Sequence, residues 1–161
     1  MKMRRMDREV KDEDKIREML EHAQVVHIGM VDNGRPYVVP MHYGYQYENG
    51  VLVLYTHGAK EGRKCDVIAK NPQVFIEIET DVSDVSGGEI PCNYGSSYAS
   101  IMGEGEAEIV TDTARKIEAL QILMQTQTKR EFVITQPMTE NVQVFRIVVP
   151  HITAKCRPSM N

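Results

Sequence analysis

Residues 51–71, VLVLYTHGAKEGRKCDVIAKN, hold two different periodicities joined by a turn. Val51, Leu52, Val53, Leu54 and Tyr55 are β-branched, aliphatic or aromatic, side chains that suit a half-buried strand. Past Thr56 and His57 come a Gly, a Lys and then Gly62-Arg63-Lys64, after which the period changes. Cys65, Ile68 and Ala69 fall at i, i+3, i+4, one face of a short helix stopped by Asn71-Pro72. A strand, a glycine-containing turn and a helix with two cations in its first turn together predict an anion site. Free N–H groups at a helix N-terminus, with Arg and Lys beside them, match a phosphate. Two cations at the unfavourable end of the helix dipole need an anion to explain them.

Working outward, the segment before this stretch reads as consecutive hairpins. Residues 24–31 form a strand, Asn33-Gly34 a tight turn, residues 37–47 the return strand, and Asn49-Gly50 a second turn. With Asn49 and Gly50 as central residues, Glu48 faces Val51, which puts Tyr43 opposite Thr56 and His42 opposite His57. The first turn puts His27 opposite Pro40. The section Val39-Pro40-Met41-His42-Tyr43 therefore runs beside the end of the strand that carries Thr56 and His57. Pro40 lacks a ladder donor, which predicts an edge or a local break with backbone groups free for a ligand. Residues 7–23 have the spacing of an amphipathic helix, with Ile16, Met19, Leu20 and Ala23 inward. Met3-Arg4-Arg5-Met6 before it reads as a frayed end or an arm.

After Asn71-Pro72, residues 73–80 form a strand with Val74, Ile76 and Ile78 on one face. Residues 81–92 are polar and contain Ser86-Gly87-Gly88, a loop pattern. Residues 98–110 make a long strand that Gly103 and Gly105 allow to bend. Residues 111–128 are a second amphipathic helix, and residues 141–149 a last strand running on past Pro150. With about six strands in consecutive hairpins and three helices, the expected fold is α+β, a six-stranded antiparallel barrel with flanking helices.

The totals exclude several classes. The 161 residues, 42% apolar and 26% charged, predict a single domain spanning the chain, with a hydrophobic core. A net charge of −4 argues against a general nucleic-acid binder. No apolar run reaches the roughly 18 residues of a membrane helix. The start has no apolar h-region, so it does not read as a signal peptide. Cys65, Cys92 and Cys156 are far apart and odd in number, which fits a reducing cytoplasm rather than a disulfide framework or a zinc site.

The order strand ending in Thr, turn, Arg-Lys, short helix, Asn-Pro, strand resembles the pyridoxamine 5′-phosphate oxidase-like, FMN-binding split-barrel superfamily. MRRMDREV near the start, the turn HGAKEGRK, the strand NYGSSYASIMGEGEAEIV and the closing HITAK resemble the 5-nitroimidazole resistance (nitroimidazole reductase) family. The resemblance implies a split-barrel homodimer with flavins bound at the subunit interface. Carried over by position, Arg63 and Lys64 would bind the FMN phosphate, helped by Thr56 and by Lys60 or the backbone near Gly62. Val39, Pro40, Met41, His42 and Tyr43 would run alongside the flavin ring. His57 would stand near the active centre as the candidate catalytic residue, and Tyr94 and Tyr98 would wall the ring from the partner subunit. The oxidases' Arg-rich C-terminal grip on the substrate phosphate has no counterpart in Lys155-Cys156-Arg157-Pro158-Ser159-Met160-Asn161, so that substrate is not expected. The activity implied is an FMN-dependent, or FAD-dependent, oxidoreductase acting on nitroimidazole-like or other small heterocycles. The alternative is a flavin- or haem-binding carrier or sensor without turnover.

Simpler readings compete at several positions. His57 reads equally as a structural histidine. His42 and His57 lack a third ligand for a metal, so none is expected. Cys65 on its helix's apolar face reads as buried and inert. Glu77, Glu79, Glu104, Glu106 and Glu108 alternate with apolar residues as the wet face of two strands.

Overall fold

The computed structural model describes residues 4–157. Met3, from the expected arm, and residues 158–161, from the short tail, fall outside that range.

An antiparallel sheet of eight strands forms the body of the molecule: β1 (Glu9–Val10), β2 (Val25–Asp32), β3 (Arg35–His42), β4 (Gly44–Glu48), β5 (Val51–Gly58), β6 (Gln73–Val85), β7 (Gly95–Val110) and β8 (Gln143–Arg157). The hydrogen-bonded order is β3-β2-β6-β7-β8-β5-β4, with β1 added beside the end of β8. The α+β antiparallel class is as the sequence predicts, and the strand count rises from six to eight for two reasons. Residues 37–47 are two strands that part at Tyr43, and Glu9–Val10, expected to lie inside the first helix, pairs with Lys155 and Ala154.

Both Asn-Gly turns adopt the positive φ values of a type I′ hairpin, 50° and 77° at Asn33 and Gly34, 51° and 78° at Asn49 and Gly50. The registers follow from the turns: His27 faces Pro40, and Glu48 faces Val51. The second ladder stops at Gly44 opposite Tyr55, however. Tyr43 does not pair with Thr56, and His42 pairs with Val25 instead of His57. At Tyr43 the chain leaves one edge of the sheet and resumes at the other, so β3 and β4, adjacent in sequence, are its two ends. The curled sheet is therefore unclosed by hydrogen bonds, a split barrel, and Pro36 and Pro40 lie on an edge strand where a missing donor is tolerated.

Inward faces of the strands build the main core. Val26, Ile28, Ile76, Ile78, Ile101, Leu52, Leu54, Phe145, Ile147 and Val149 are essentially inaccessible to solvent. Helix α1 (Glu13–His22), started by Asp12 accepting from the Lys15 N–H at 2.9 Å, adds Ile16, Met19 and Leu20. Helix α2 (Arg63–Lys70) adds Cys65, Val67 and Ile68. The opposite face of β5 and β8, with Tyr55 and Val144, packs under Ala119 and Leu120 of helix α3 (Thr113–Thr128). A one-turn helix, α4 (Gln136–Thr139), precedes β8.

Two further differences from expectation have local causes. Residues 81–85, read as loop, extend β6 through a bulge after Thr80, with Asp81 at φ 56°. β8 runs on to Arg157 because a bulge absorbs Pro150: Glu106 faces Val148 and Glu104 faces His151, so Val149 and Pro150 together oppose Gly105. Glu104, Glu106 and Glu108 are exposed along β7, the wet face expected of them.

Candidate functional site

The gap between the sheet's two ends is a hollow of about 510 Å3, lined by Pro40, Met41, His42, His57, Lys64, Leu123, Met124 and Gln127. This volume is in the range typical of small-molecule sites, about 300–1,000 Å3. The end of β3, the end of β5, the start of α2 and the last turns of α3 each supply one side. So the structure brings together Pro40, Met41, His42, His57 and Lys64 from the residues singled out in the sequence, though by a route other than the expected ladder between β3 and β5.

Lys64 is the chemically distinctive member. It is half-buried, its ammonium lies 5.2 Å from the centre of the Phe145 ring, and no carboxylate of the described residues pairs with it. Burial lowers its pKa below the ordinary lysine value, opposed by a smaller raising effect from Cys65. Gly58 makes room for it: a Cβ there would lie 2.7 Å from Lys64 Nζ. At the head of α2, Gly62 has φ 132° and no side-chain cap, so the first N–H groups of the helix are left for other partners.

Arg63 is differently placed. Its Nε donates to Asp32 Oδ2 at 2.8 Å, and its guanidinium stacks 4.2 Å from the Tyr37 ring centre. Arg63 thus has an anion, Asp32, and an aromatic face of its own. Only Lys64 of the two is left without one among the described residues. Lys60 is exposed in the turn, outside the residues lining the hollow.

Thr56 is 1% exposed, and its Oγ1 has no hydrogen-bond partner among the described residues. It shares the inward face with Phe145, its cross-strand neighbour. An unpartnered buried hydroxyl costs about 1–3 kcal/mol, which marks this end of β5 as incompletely satisfied. One residue on, His57 is exposed and faces the α3 side of the sheet, so the two point oppositely as strand alternation requires. His42 places Nδ1 3.0 Å from the Gln24 carbonyl. A carbonyl can only accept, so Nδ1 carries the proton and Nε2 is the free ring nitrogen. Among the described residues, no three His, Cys, Asp or Glu side chains cluster as metal ligands.

Tyr43 is not a lining side chain. It is fully buried, donates to the Leu20 carbonyl at 2.8 Å, and burial raises its phenol well above the ordinary value. Val39 packs against the core rather than lining the hollow. Tyr98 lies elsewhere in the same chain, in a hollow with Lys15, Ser83 and Cys156, and accepts from Arg8 at 3.2 Å. Tyr94 is exposed and donates to the Gly88 carbonyl.

Sequence reasoning missed Leu123, Met124 and Gln127. The helical period of residues 111–128 predicts the helix, but nothing local shows that α3 ends beside β3. The one hint is Gly44, whose added Cβ would lie 2.5 Å from both N and Cα of Leu123, so β4 and α3 touch backbone to backbone.

The family described as pyridoxamine 5′-phosphate oxidase matches residues 12–156. The chain belongs to the pyridoxamine 5′-phosphate oxidase family. Among solved structures, it is similar to a candidate 5-nitroimidazole antibiotic resistance protein of Bacteroides thetaiotaomicron, with 32% identity over 92% of this chain and 86% of that one and a TM-score of 0.76. The flavocytochrome Anf3 of Azotobacter vinelandii shares the fold at 20% identity, 98% and 73% coverage and TM-score 0.76. An FAD- and haem-binding protein of Mycobacterium smegmatis shares it at 14% identity, 96% and 76% coverage and TM-score 0.76. No curated protein matches the chain. Among the described residues, no helix of this family member is long and apolar enough to cross a membrane.

Proposed function

We propose that the chain binds a flavin, FMN, in the split between β3 and β5, and works as a flavin-dependent oxidoreductase on small heterocyclic or nitroaromatic compounds. The observation that carries this reading is Lys64, a half-buried ammonium without a counter-charge among the described residues, held between Phe145 and Gly58 at the open head of α2. An anionic phosphate is the partner that position lacks. Thr56 Oγ1 and the first N–H groups of α2 are further unfilled valences at the same end of β5. The residues present thus fit the group: Lys64 and the head of α2 would hold the phosphate, and Met41, His42 and His57 would border the ring.

The chemistry a bound flavin supplies is electron transfer between a reduced nicotinamide and a small acceptor. The protein's part is to hold the ring, exclude water behind it and offer polar groups to its edge. His42 Nε2 and the exposed His57 imidazole are the groups of the lining able to give or take a proton. Similarity to the Bacteroides protein favours a nitroimidazole-like acceptor.

A homodimer belongs to this reading. Tyr98 and Lys64 line different hollows of one chain, so a Tyr98 contact with the flavin would come from a second copy. Ile90 and Tyr94, 53% and 57% exposed between β6 and β7, offer apolar surface for that copy to cover. A second reading, a flavin- or haem-binding carrier without turnover, is favoured by the two histidines bordering one hollow.

Absorbance of the purified chain, with and without added FMN, tests the first step. A flavin band is expected, whereas a Soret band on haem addition alone would favour the carrier, and no uptake of FMN would sink the proposal. Anaerobic bleaching by NADH or NADPH, followed by reoxidation with a nitroimidazole, separates an enzyme from a carrier.

A further inference from the structure

We infer that the last turns of α3 form a recognition wall for a bound flat heterocycle, with Met124 packing on the ring and Gln127 Oε1 accepting a hydrogen bond from a ring N–H. This rests on the flavin reading above and adds to it a wall of the hollow and a polar contact.

Helix α3 cannot back away from the split without losing its seat on β4. Gly44 meets the Leu123 backbone so closely that a methyl group would be 2.5 Å from two of its atoms. The residues next along the helix are thereby aimed at the junction of β3 and β4. Leu123, Met124 and Gln127 line the hollow opposite Met41, His42 and Lys64.

The orientation of the Gln127 amide is fixed by its partners. Nε2 lies 2.7 Å from the Tyr43 carbonyl and 3.2 Å from the Gln24 carbonyl. Flipping the amide would set its oxygen against two acceptors, so the NH2 group faces the carbonyls. Oε1 is then the outer end, and it accepts from no group of the described residues. The Gln24 carbonyl also receives His42 Nδ1–H, so Gln127 and His42 are braced on the same atom. The result is a wall with one pre-oriented acceptor.

The rest of the hollow completes the ligand's description. Met41 and Met124 present thioethers, which pack favourably against aromatic rings. Lys64 asks for an anion at one end. The ligand class is a flat heterocycle with an amide- or imide-type N–H, joined to an anionic group. An isoalloxazine ring bearing a phosphate has these features, with its N–H at N3.

Two measurements decide it. Protein carrying 13C at its methionine methyls is titrated with FMN, with Met41 and Met124 assigned through Met41→Leu and Met124→Leu. Both resonances are expected to move with one apparent affinity, while exposed Met6 and Met138 stay. Met41 moving without Met124 overturns the wall alone. No resonance moving at high FMN overturns the flavin reading and the wall with it. FMN is then compared with its N3-methyl derivative. The wild type is expected to prefer FMN by about tenfold, the worth of one hydrogen bond, and Gln127→Leu to show no preference. Equal affinity of the wild type for both removes Gln127 from recognition. Met124→Ala is expected to weaken FMN by about 2- to 12-fold.

Discussion

Two hollows flank the C-terminal half of α3, and the larger one is the less reactive. A groove of about 980 Å3 runs between α1, β4 and α3, lined by Arg17, Glu21, Tyr45, Tyr47, Lys129 and Phe132 among others. Its two cations, Arg17 and Lys129, are both answered. Arg17 donates to the Tyr47 carbonyl and lies over the Tyr47 ring, while Glu21 takes both the Tyr45 hydroxyl and the Lys129 ammonium. The split between β3 and β5 has roughly half that volume and leaves Lys64 without a counter-charge and Gln127 Oε1 without a donor among the described residues. A cation without a counter-charge among the described residues, rather than empty space, is what distinguishes the split from the groove.

The largest effect expected from that contrast is at Lys64. Lys64→Met removes a cation that the unliganded fold must desolvate, so FMN affinity falls by about 10- to 150-fold, while the thermal midpoint without ligand stays level or rises. Flavin fluorescence and a melting curve on one preparation check both halves. A destabilised apo variant would show that Lys64 has a partner of its own.

Gly44→Ala follows. It overpacks the β4–α3 contact, costing about 1–3 kcal/mol and lowering the midpoint by about 2–10 °C. Because the helix carries the wall, the Met124 methyl resonance should shift even without ligand. A silent Met124 would detach α3 from the split.

pH separates the apo and bound states. Burial lowers the Lys64 pKa in the folded chain, so from that lowered value up to the ordinary lysine value the unfolded chain binds more protons. Stability of the unliganded protein therefore gains from this group as pH rises through that window. FMN affinity falls over the same window, since the ammonium is lost. Urea titrations of wild type and Lys64→Met across alkaline pH isolate the first slope; parallel curves would refute it.

Arg63→Ala is expected to do less than the change at Lys64. It breaks an exposed bridge to Asp32 and a stack on Tyr37, costing about 1 kcal/mol, with FMN affinity changed by less than about fivefold. The smallest effect is in the large groove. Lys129→Ala should cost under about 1 kcal/mol and leave FMN titrations unchanged. A lost flavin in that variant would reverse the comparison between the two hollows.

How much of this was legible depended on how local each cause is. The Asn-Gly turns dictate two hairpins and their registers from adjacent residues, and the change of period at Gly62 marks α2. The strand's division at Tyr43 was out of reach. Pro40 hinted at it, but the Tyr43 hydroxyl is held by the Leu20 carbonyl, on a helix with no sequence sign of that contact. The Arg63–Asp32 contact was out of reach for the same reason, since Asp32 lies at the end of β2, remote in sequence from α2. Lys64 looked identical to Arg63 in a string of letters, and only its seat against Phe145 and Gly58 distinguishes them. The α3 wall depends on Gly44 meeting Leu123, a contact between two hairpin-distant segments with no periodic signature.

The passage of the chain from β3 to β4 has a kinetic consequence. The ladders from β3 through to β4 form one continuous strip, and no ladder bond joins its two ends. Tyr43 alone spans the gap between those ends, so the strip cannot lie flat: completing the sheet and curling it are one step, which also buries Tyr43 and sets Gln127 against the Gln24 and Tyr43 carbonyls. With no ladder across it, the split is where hydrogen exchange of the unliganded protein is expected to be fastest. A flavin held there would act as a clasp, slowing hydrogen exchange along both seam strands while leaving the β6–β7–β8 centre of the sheet unchanged.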